Sequence, residues 1–201
     1  IINIKSGMEF VIDENNPYFS TDEDGSIYNK DKTELILFNG NSERYTVASS
    51  VKTLKSGCFS GWYISDLTIP DTVETIEANA FQDCSVGYLE LPATLKVVPE
   101  FAFYGLSCEG IVIPSTVEKI GNKCFYSSRN LQEITIPSSV TSVGEYMISG
   151  CPKLTSVTFD ANCQIQSLPF GFLFCSKPLK ELNLPTSITM LHDNVFNYCS
   201  S

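Results

Sequence analysis

Histidine is nearly absent: the chain of 201 residues has one, His192. That leaves it short of the side chain that most often moves protons in catalysis and most often ligates metals. Basic residues are scarce too, with 13 Lys and Arg against 23 Asp and Glu, for a formal charge of −10. A nucleic-acid binder needs cations to displace counterions from phosphate, and an anionic membrane surface attracts the same charges, so neither is an expected partner. No apolar run approaches the ~20 residues that span a bilayer, so no direct membrane insertion is expected. A basic segment followed by an apolar one, the mark of a signal peptide, is missing after Ile1. Gly-rich phosphate loops of the Walker or dinucleotide type are missing as well. Charged residues make up only 18% of the chain and hydrophobic residues 43%. Such a composition supports a real core and excludes disorder for most of the chain.

What is abundant is repetition. The tetrads Leu67-Thr68-Ile69-Pro70, Leu89-Glu90-Leu91-Pro92, Ile111-Val112-Ile113-Pro114, Ile134-Thr135-Ile136-Pro137 and Leu182-Asn183-Leu184-Pro185 share one pattern. Degenerate copies start at Tyr45 and Val157, so starts fall at 45, 67, 89, 111, 134, 157 and 182, in steps of 22 to 25 residues. Each tetrad is followed by a second apolar pair three apart, from Val51/Leu54 and Val73/Ile76 to Ile165/Leu168 and Ile188/Leu191. Five residues later comes a bulky apolar residue: Phe59, Phe81, Phe103, Phe125, Ile148 and Phe196, with Phe172 or Phe174 for the irregular copy. Alternating apolar residues read as a half-buried strand, and the Pro, which lacks an N–H, ends its ladder. The small residues around the bulky one predict a short helical or 3-10 turn leading to the next strand. A unit of this length cannot bury its own apolar face, so neighbours must stack. The expectation is an α/β repeat solenoid with a single parallel β-sheet.

Three stretches carry a family resemblance: Ala80-Phe81 followed by Cys84-Ser85-Val86-Gly87-Tyr88-Leu89-Glu90-Leu91-Pro92, Ile120-Gly121-Asn122-Lys123-Cys124-Phe125, and Cys151-Pro152-Lys153-Leu154-Thr155-Ser156-Val157. They resemble the BspA-like, or Treponema pallidum-type, branch of the leucine-rich repeats, over roughly Tyr45 to Ser201. The resemblance implies a curved right-handed coil. It also implies a non-catalytic cell-surface or secreted protein that adheres to host matrix or cell-surface proteins.

Residues 1–44 depart from the repeat and are expected to form a partial repeat with a β-hairpin insert, ahead of about seven repeats over 45–201. The hairpin is predicted from Gly25-Ser26-Ile27-Tyr28 and Leu35-Ile36-Leu37-Phe38 across a polar turn. Phe10-Val11-Ile12-Asp13 is read as the strand of a preceding repeat. Cys199-Ser200-Ser201 stops where another strand is due, so the array is expected to continue beyond this chain.

The eight cysteines are spaced 26, 24, 16, 27, 12, 12 and 24 apart, with no Cys-x-x-Cys pair. Cys84, Cys151, Cys175 and Cys199 follow the bulky residue by about three positions, and Cys58 and Cys124 precede Phe59 and Phe125. Recurrence at the repeat period marks them as compact buried fillers. Cys108 and Cys163 fall outside these slots and are the candidates for a disulfide or an exposed thiol. A Cys–His pair with His192 lacks any local signature, and no catalytic residue, cofactor or metal is assigned. Asp22, Asp24, Gly25 and Asp31 partly match a calcium loop, but Ser20 stands where its first Asp belongs, so the segment reads as an acidic turn.

The binding surface expected from a leucine-rich-repeat solenoid is the outward-facing strip of the strands on the concave face. It comprises Asp66, Thr68, Tyr88, Glu90, Val112, Glu133, Thr135, Ser156, Thr158, Glu181 and Asn183. The strip is acidic and without Lys or Arg, which suits a protein with a basic face; a merely solvated sheet is the plain reading. A second candidate is the N-terminal hairpin, with Tyr18, Phe19, Tyr28 and Trp62. A structural spacer presenting another domain would have nearly the same sequence; an enzyme is the least favoured reading.

Overall fold

A computed structural model describes residues 10–40, 43–176 and 178–199. The described residues form a β-solenoid of stacked coils without helix. Each coil contributes a strand to a first parallel sheet face: β4 (Arg44–Thr46), β6 (Tyr63–Thr68), β8 (Ser85–Glu90), β10 (Gly110–Val112), β12 (Glu133–Ile136), β14 (Ser156–Phe159) and β16 (Glu181–Leu182). A second face carries two-residue strands: β5 (Thr53–Leu54), β7 (Thr75–Ile76), β9 (Val97–Val98), β11 (Lys119–Ile120), β13 (Ser142–Val143), β15 (Ser167–Leu168) and β17 (Met190–Leu191). The expected single sheet is therefore two sheet faces. The Pro-marked tetrad makes the bend between them. The Pro70 carbonyl accepts the Val73 N–H at 3.0 Å, and Pro92, Pro114, Pro137 and Pro185 accept the equivalent N–H of Leu95, Val117, Val140 and Ile188.

The second face is interrupted between β7 and β9 and between β13 and β15. Proline explains both gaps. In intact stretches the residue after the strand donates to the previous coil, as Glu77 does to Leu54 and Gly121 to Val98. Pro99 and Pro169 occupy that position and have no N–H to give. On the first face, the gap between β10 and β12 falls where the step lengthens from 22 to 23 residues.

The predicted helical turns are overturned by backbone conformation. Two residues before the core-filling residue, each coil has a positive φ at Gly57, Asn79, Phe101, Lys123, Tyr146, Gly171 and Asn194. Two residues after it, the same holds for Gly61, Asp83, Gly105, Ser127, Gly150, Cys175 and Tyr198. A left-handed residue every fourth position is incompatible with a right-handed helix. The N–H groups alternate accordingly. Ala80 and Gln82 donate to carbonyls three residues back, while Phe81 and Asp83 donate across to Ala102 and Tyr104 of the next coil.

This cross-coil ladder fixes the spine. It runs through the N–H groups of Phe59, Phe81, Phe103, Phe125, Ile148 and Leu173, the last donating to Val195. Leu173, rather than Phe172 or Phe174, therefore holds the core position in the irregular copy. Phe59, Phe81, Phe103 and Phe125 are buried and stacked at centroid distances of 5.0, 5.0 and 5.4 Å. Phe196, at the last described coil, is 38% exposed, and Val195 is buried instead. The corner glycines Gly121 and Gly144 mark where coils touch through backbone: a Cβ on Gly144 would lie 2.3 Å from the Asn122 nitrogen.

At the other end, β1 (Phe19–Thr21), β2 (Ile27–Asn29) and β3 (Glu34–Leu37) pair antiparallel in sequence order. β3 then pairs parallel with β5, and the Phe38 N–H donates to Cys58, so this meander delivers Phe38 to the start of the spine. Sequence reasoning missed β1. The expected strand at Phe10-Val11-Ile12-Asp13 is not formed, and Val11 is 86% exposed.

Candidate functional site

The first-sheet face places the predicted binding residues in registered rows. Arg44, Asp66, Tyr88 and Gly110 lie in one row across β4, β6, β8 and β10. Glu90 pairs with Val112 in the next, and Thr135 pairs with Thr158 farther along. Asp66, Thr68, Tyr88, Glu90 and Val112 line one open groove of about 530 Å³, floored by Leu67 and Leu91 and closed by Pro70, Asp71, Ala93 and Pro114 at the bend. Ser156, Thr158 and Asn183 line a second groove of about 350 Å³ with Phe159 and Lys180. Glu133 and Thr135 are exposed but line neither. Glu181 belongs to β16 by its backbone, and its side chain lies outside the described residues.

The strip's own residues include no Lys or Arg, but two cations border it. Arg44 stands at its start, 3.7 Å from Asp66, and Lys180 adjoins β16. Arg44 sits directly before its tetrad, in the column of Asp66 and Tyr88, where reading one copy further toward the N-terminus would have found it; Lys180 lies one residue ahead of that column, next to Glu181. Further ion pairs lie along the second face: Lys52–Glu74 at 3.0 Å, Lys96–Glu118 at 3.7 Å, and Lys55 with Glu77 at 2.5 Å and Glu34 at 3.9 Å. Among the described residues, Glu90 and Glu133 have no basic partner. Three lysines thus offset carboxylates of the second face, while Glu90 and Glu133 on the first have no such partner among the described residues.

Tyr88 supplies the apolar part of the larger groove. Its side chain is 58% exposed, and its ring lies against Gly110: a Cβ there would sit 3.1 Å from Tyr88 Cε2. Glycine at position 110 is what lets the ring lie over the adjacent strand.

The N-terminal surface is less available than the sequence indicated. Tyr18 and Phe19 are exposed, but Tyr28 is buried and Trp62 packs edge-on against Phe38 at 5.0 Å. The Asp22 carboxylate faces inward. Its Oδ1 accepts the N–H groups of Asp24 and Ser26, and its Oδ2 accepts the hydroxyls of Tyr28 at 2.8 Å and Tyr45 at 3.2 Å. The two hydroxyl oxygens are themselves 2.6 Å apart. Asp22 thus ties the meander to the first coil. Burial raises the pKa of both tyrosines above the ordinary phenol value, that of Tyr45 to about 12.

All eight cysteines are free. The candidate roles of Cys108 and Cys163 fail on two counts: neither forms a disulfide, and at 2% exposure neither is an exposed thiol. The position three past the core residue holds Ser128, Cys151, Ser176 and Cys199, which donate to the carbonyls of Phe103, Phe125, Ile148 and Leu173 one coil back. A small donor belongs there because that carbonyl is buried. With Leu173 as the core residue, Ser176 fills this slot, and Cys175 is a left-handed turn residue. His192 is exposed in the last corner. Among the described residues, no three His, Cys, Asp or Glu side chains converge to hold a metal ion, and no helix is long and apolar enough to cross a membrane.

A family model for the BspA type leucine rich repeat region matches in six copies, over residues 37–108, 52–172 and 96–201. No curated protein matches the chain. Among solved structures, a leucine-rich repeat protein from Eubacterium ventriosum superposes with a TM-score of 0.70 at 22% identity, covering 92% of this chain and 50% of that one. The pneumococcal vaccine antigen PcpA gives 0.53 at 26% identity, covering 91% and 45%. The T. pallidum leucine rich repeat protein gives 0.64 at 20% identity, covering 92% and 86%. The chain spans about half the length of the first two.

Proposed function

The chain belongs to the BspA-type leucine-rich-repeat family, and from that premise we propose that it is a non-catalytic protein-binding module, displayed on a cell surface or secreted. Its first-sheet face is the docking surface, and its partners are host matrix or cell-surface proteins with a basic face. The observation that carries this reading is the partition of charge: Lys52, Lys55 and Lys96 pair with carboxylates on the second face, while among the described residues Glu90 and Glu133 stand unpaired on the first. Exposed carboxylates in this arrangement steer a basic partner and set its register more than they add affinity. Their influence falls with ionic strength, because exposed charges are screened within ~10 Å at 0.1 M salt.

The test is binding of the purified chain to immobilised extracellular-matrix proteins at two salt concentrations, with the double variant Glu90→Lys and Glu133→Lys alongside. Saturable binding that weakens with salt and is lost in the folded double variant supports the reading. A double variant that binds as well as the parent refutes the acidic face as the site. A folded chain that binds none of these proteins points instead to a spacer.

A further inference from the structure

We propose that the groove across β6, β8 and β10 is a receptor for an arginine side chain of an extended basic segment. This rests on the protein-binding reading above and names the chemistry the same face selects.

Two rows meet in the groove. Asp66, Tyr88 and Gly110 form one; Glu90 and Val112 stand in the other, two residues further along their strands. Neighbouring strands lie ~4.8 Å apart, and alternate residues along a strand ~6.6 Å apart. A planar cation over the Tyr88 ring is therefore within one side chain's reach of both Asp66 and Glu90. The ring is presented for this. Gly110 on the next strand has no Cβ, so the Cδ2–Cε2 edge of the ring rests close against it while the residue stays 58% exposed. Val112, 38% exposed, offers apolar surface for the aliphatic stem. Arg44 already pairs with Asp66 from one side, at 3.7 Å and largely exposed, and a second guanidinium approaching over Tyr88 meets Glu90, which has no partner among the described residues.

These features select arginine over lysine. A guanidinium is flat, stacks on an aromatic face and forks two N–H groups onto a carboxylate, whereas an ammonium is a compact, strongly hydrated point charge. A groove of 530 Å³ open along the sheet also accommodates the backbone carrying the side chain.

The experiment is an amide chemical-shift titration of the whole chain with acetyl-Gly-Gly-Arg-Gly-Gly-amide, beside its lysine and citrulline counterparts; citrulline keeps the shape without the charge. The arginine peptide is expected to shift Tyr88, Gly110 and Val112, to bind about threefold or more tighter than the lysine peptide, and to outbind citrulline by more. Tyr88→Ala, at an exposed position, is expected to weaken arginine binding about threefold to fivefold, the exposed cation–π contribution expressed as a ratio. Gly110→Ala displaces the ring without touching a charge and should weaken it similarly. Glu118→Gln, on the second face, should leave it unchanged. Equal binding of arginine and lysine peptides, or full binding by Tyr88→Ala, overturns the proposal. If Tyr88→Ala is silent while Glu90→Lys with Glu133→Lys still abolishes matrix binding, the acidic face stands and only the arginine receptor fails. If both are silent, both readings fail.

Discussion

Replacing Phe103 by Leu tests the spine where it is best defined. Phe103 is fully buried and stacked between Phe81 at 5.0 Å and Phe125 at 5.4 Å, the latter ring nearly parallel at 5°. Truncating such a residue to Ala costs about 3–5 kcal/mol. Leucine keeps most of the apolar volume but loses both ring contacts, each worth about 0.5–1.5 kcal/mol, so about 2 kcal/mol is expected. Phe196 holds the same repeat position, but it is 38% exposed, and among the described residues no ring stacks on it. There the same change should cost less than about 0.5 kcal/mol, the range for surface sites. Urea unfolding followed by far-ultraviolet circular dichroism reads the difference. With an m-value of about 2 kcal/mol per molar, Phe103→Leu lowers the midpoint by about 1 M, and Phe196→Leu by about a quarter of that or less. Equal shifts would refute the argument that the spine is stabilised by stacking between coils rather than by the repeat position itself.

Leu173→Ala should destabilise by about 2–5 kcal/mol and Phe174→Ala by clearly less in the same assay, because the cross-coil ladder puts Leu173 in the core; the reverse order would overturn the register. Gly144→Ala should destabilise by about 2 kcal/mol or more, since its Cβ would meet the backbone of the preceding coil; unchanged unfolding would mean the coils are free to separate there. In alkali, Tyr28 and Tyr45 stay protonated in the fold beyond the ordinary phenol value of 10.0, because burial opposes the phenolate. Their contribution is therefore complete below that pH and is lost as pH rises toward about 12, where Tyr45 ionises. Spectroscopic titration should show tyrosinate absorbance from these two appearing with unfolding, and Tyr28→Phe should shrink the effect. Native maleimide labelling followed by mass spectrometry should modify Cys175 and Cys199, both half-buried, before the other six; early labelling of Cys108 or Cys163 would contradict their burial.

The repeat was legible in the sequence because its causes are local and recur with a period. Alternation in Leu89-Glu90-Leu91 demands a half-buried strand, Pro92 ends it, and a unit of about 22 residues must stack to bury Phe103. Alternation also sets which residues face outward, which is why Asp66, Thr68, Tyr88, Glu90 and Val112 could be named and lie together in one groove. What the sequence left undecided depends on hydrogen bonds between coils. Whether the return segment is helical turned on where each N–H goes, and those of Phe81 and Asp83 go to the next coil. No local propensity announces a left-handed Phe101 or Tyr146; stacking imposes it. The choice of Leu173 over its phenylalanine neighbours, the second sheet face, and the pairing of Lys52 with Glu74 and of Lys96 with Glu118 along it were likewise settled by register, which relates residues a full coil apart and exists only once the chain has stacked.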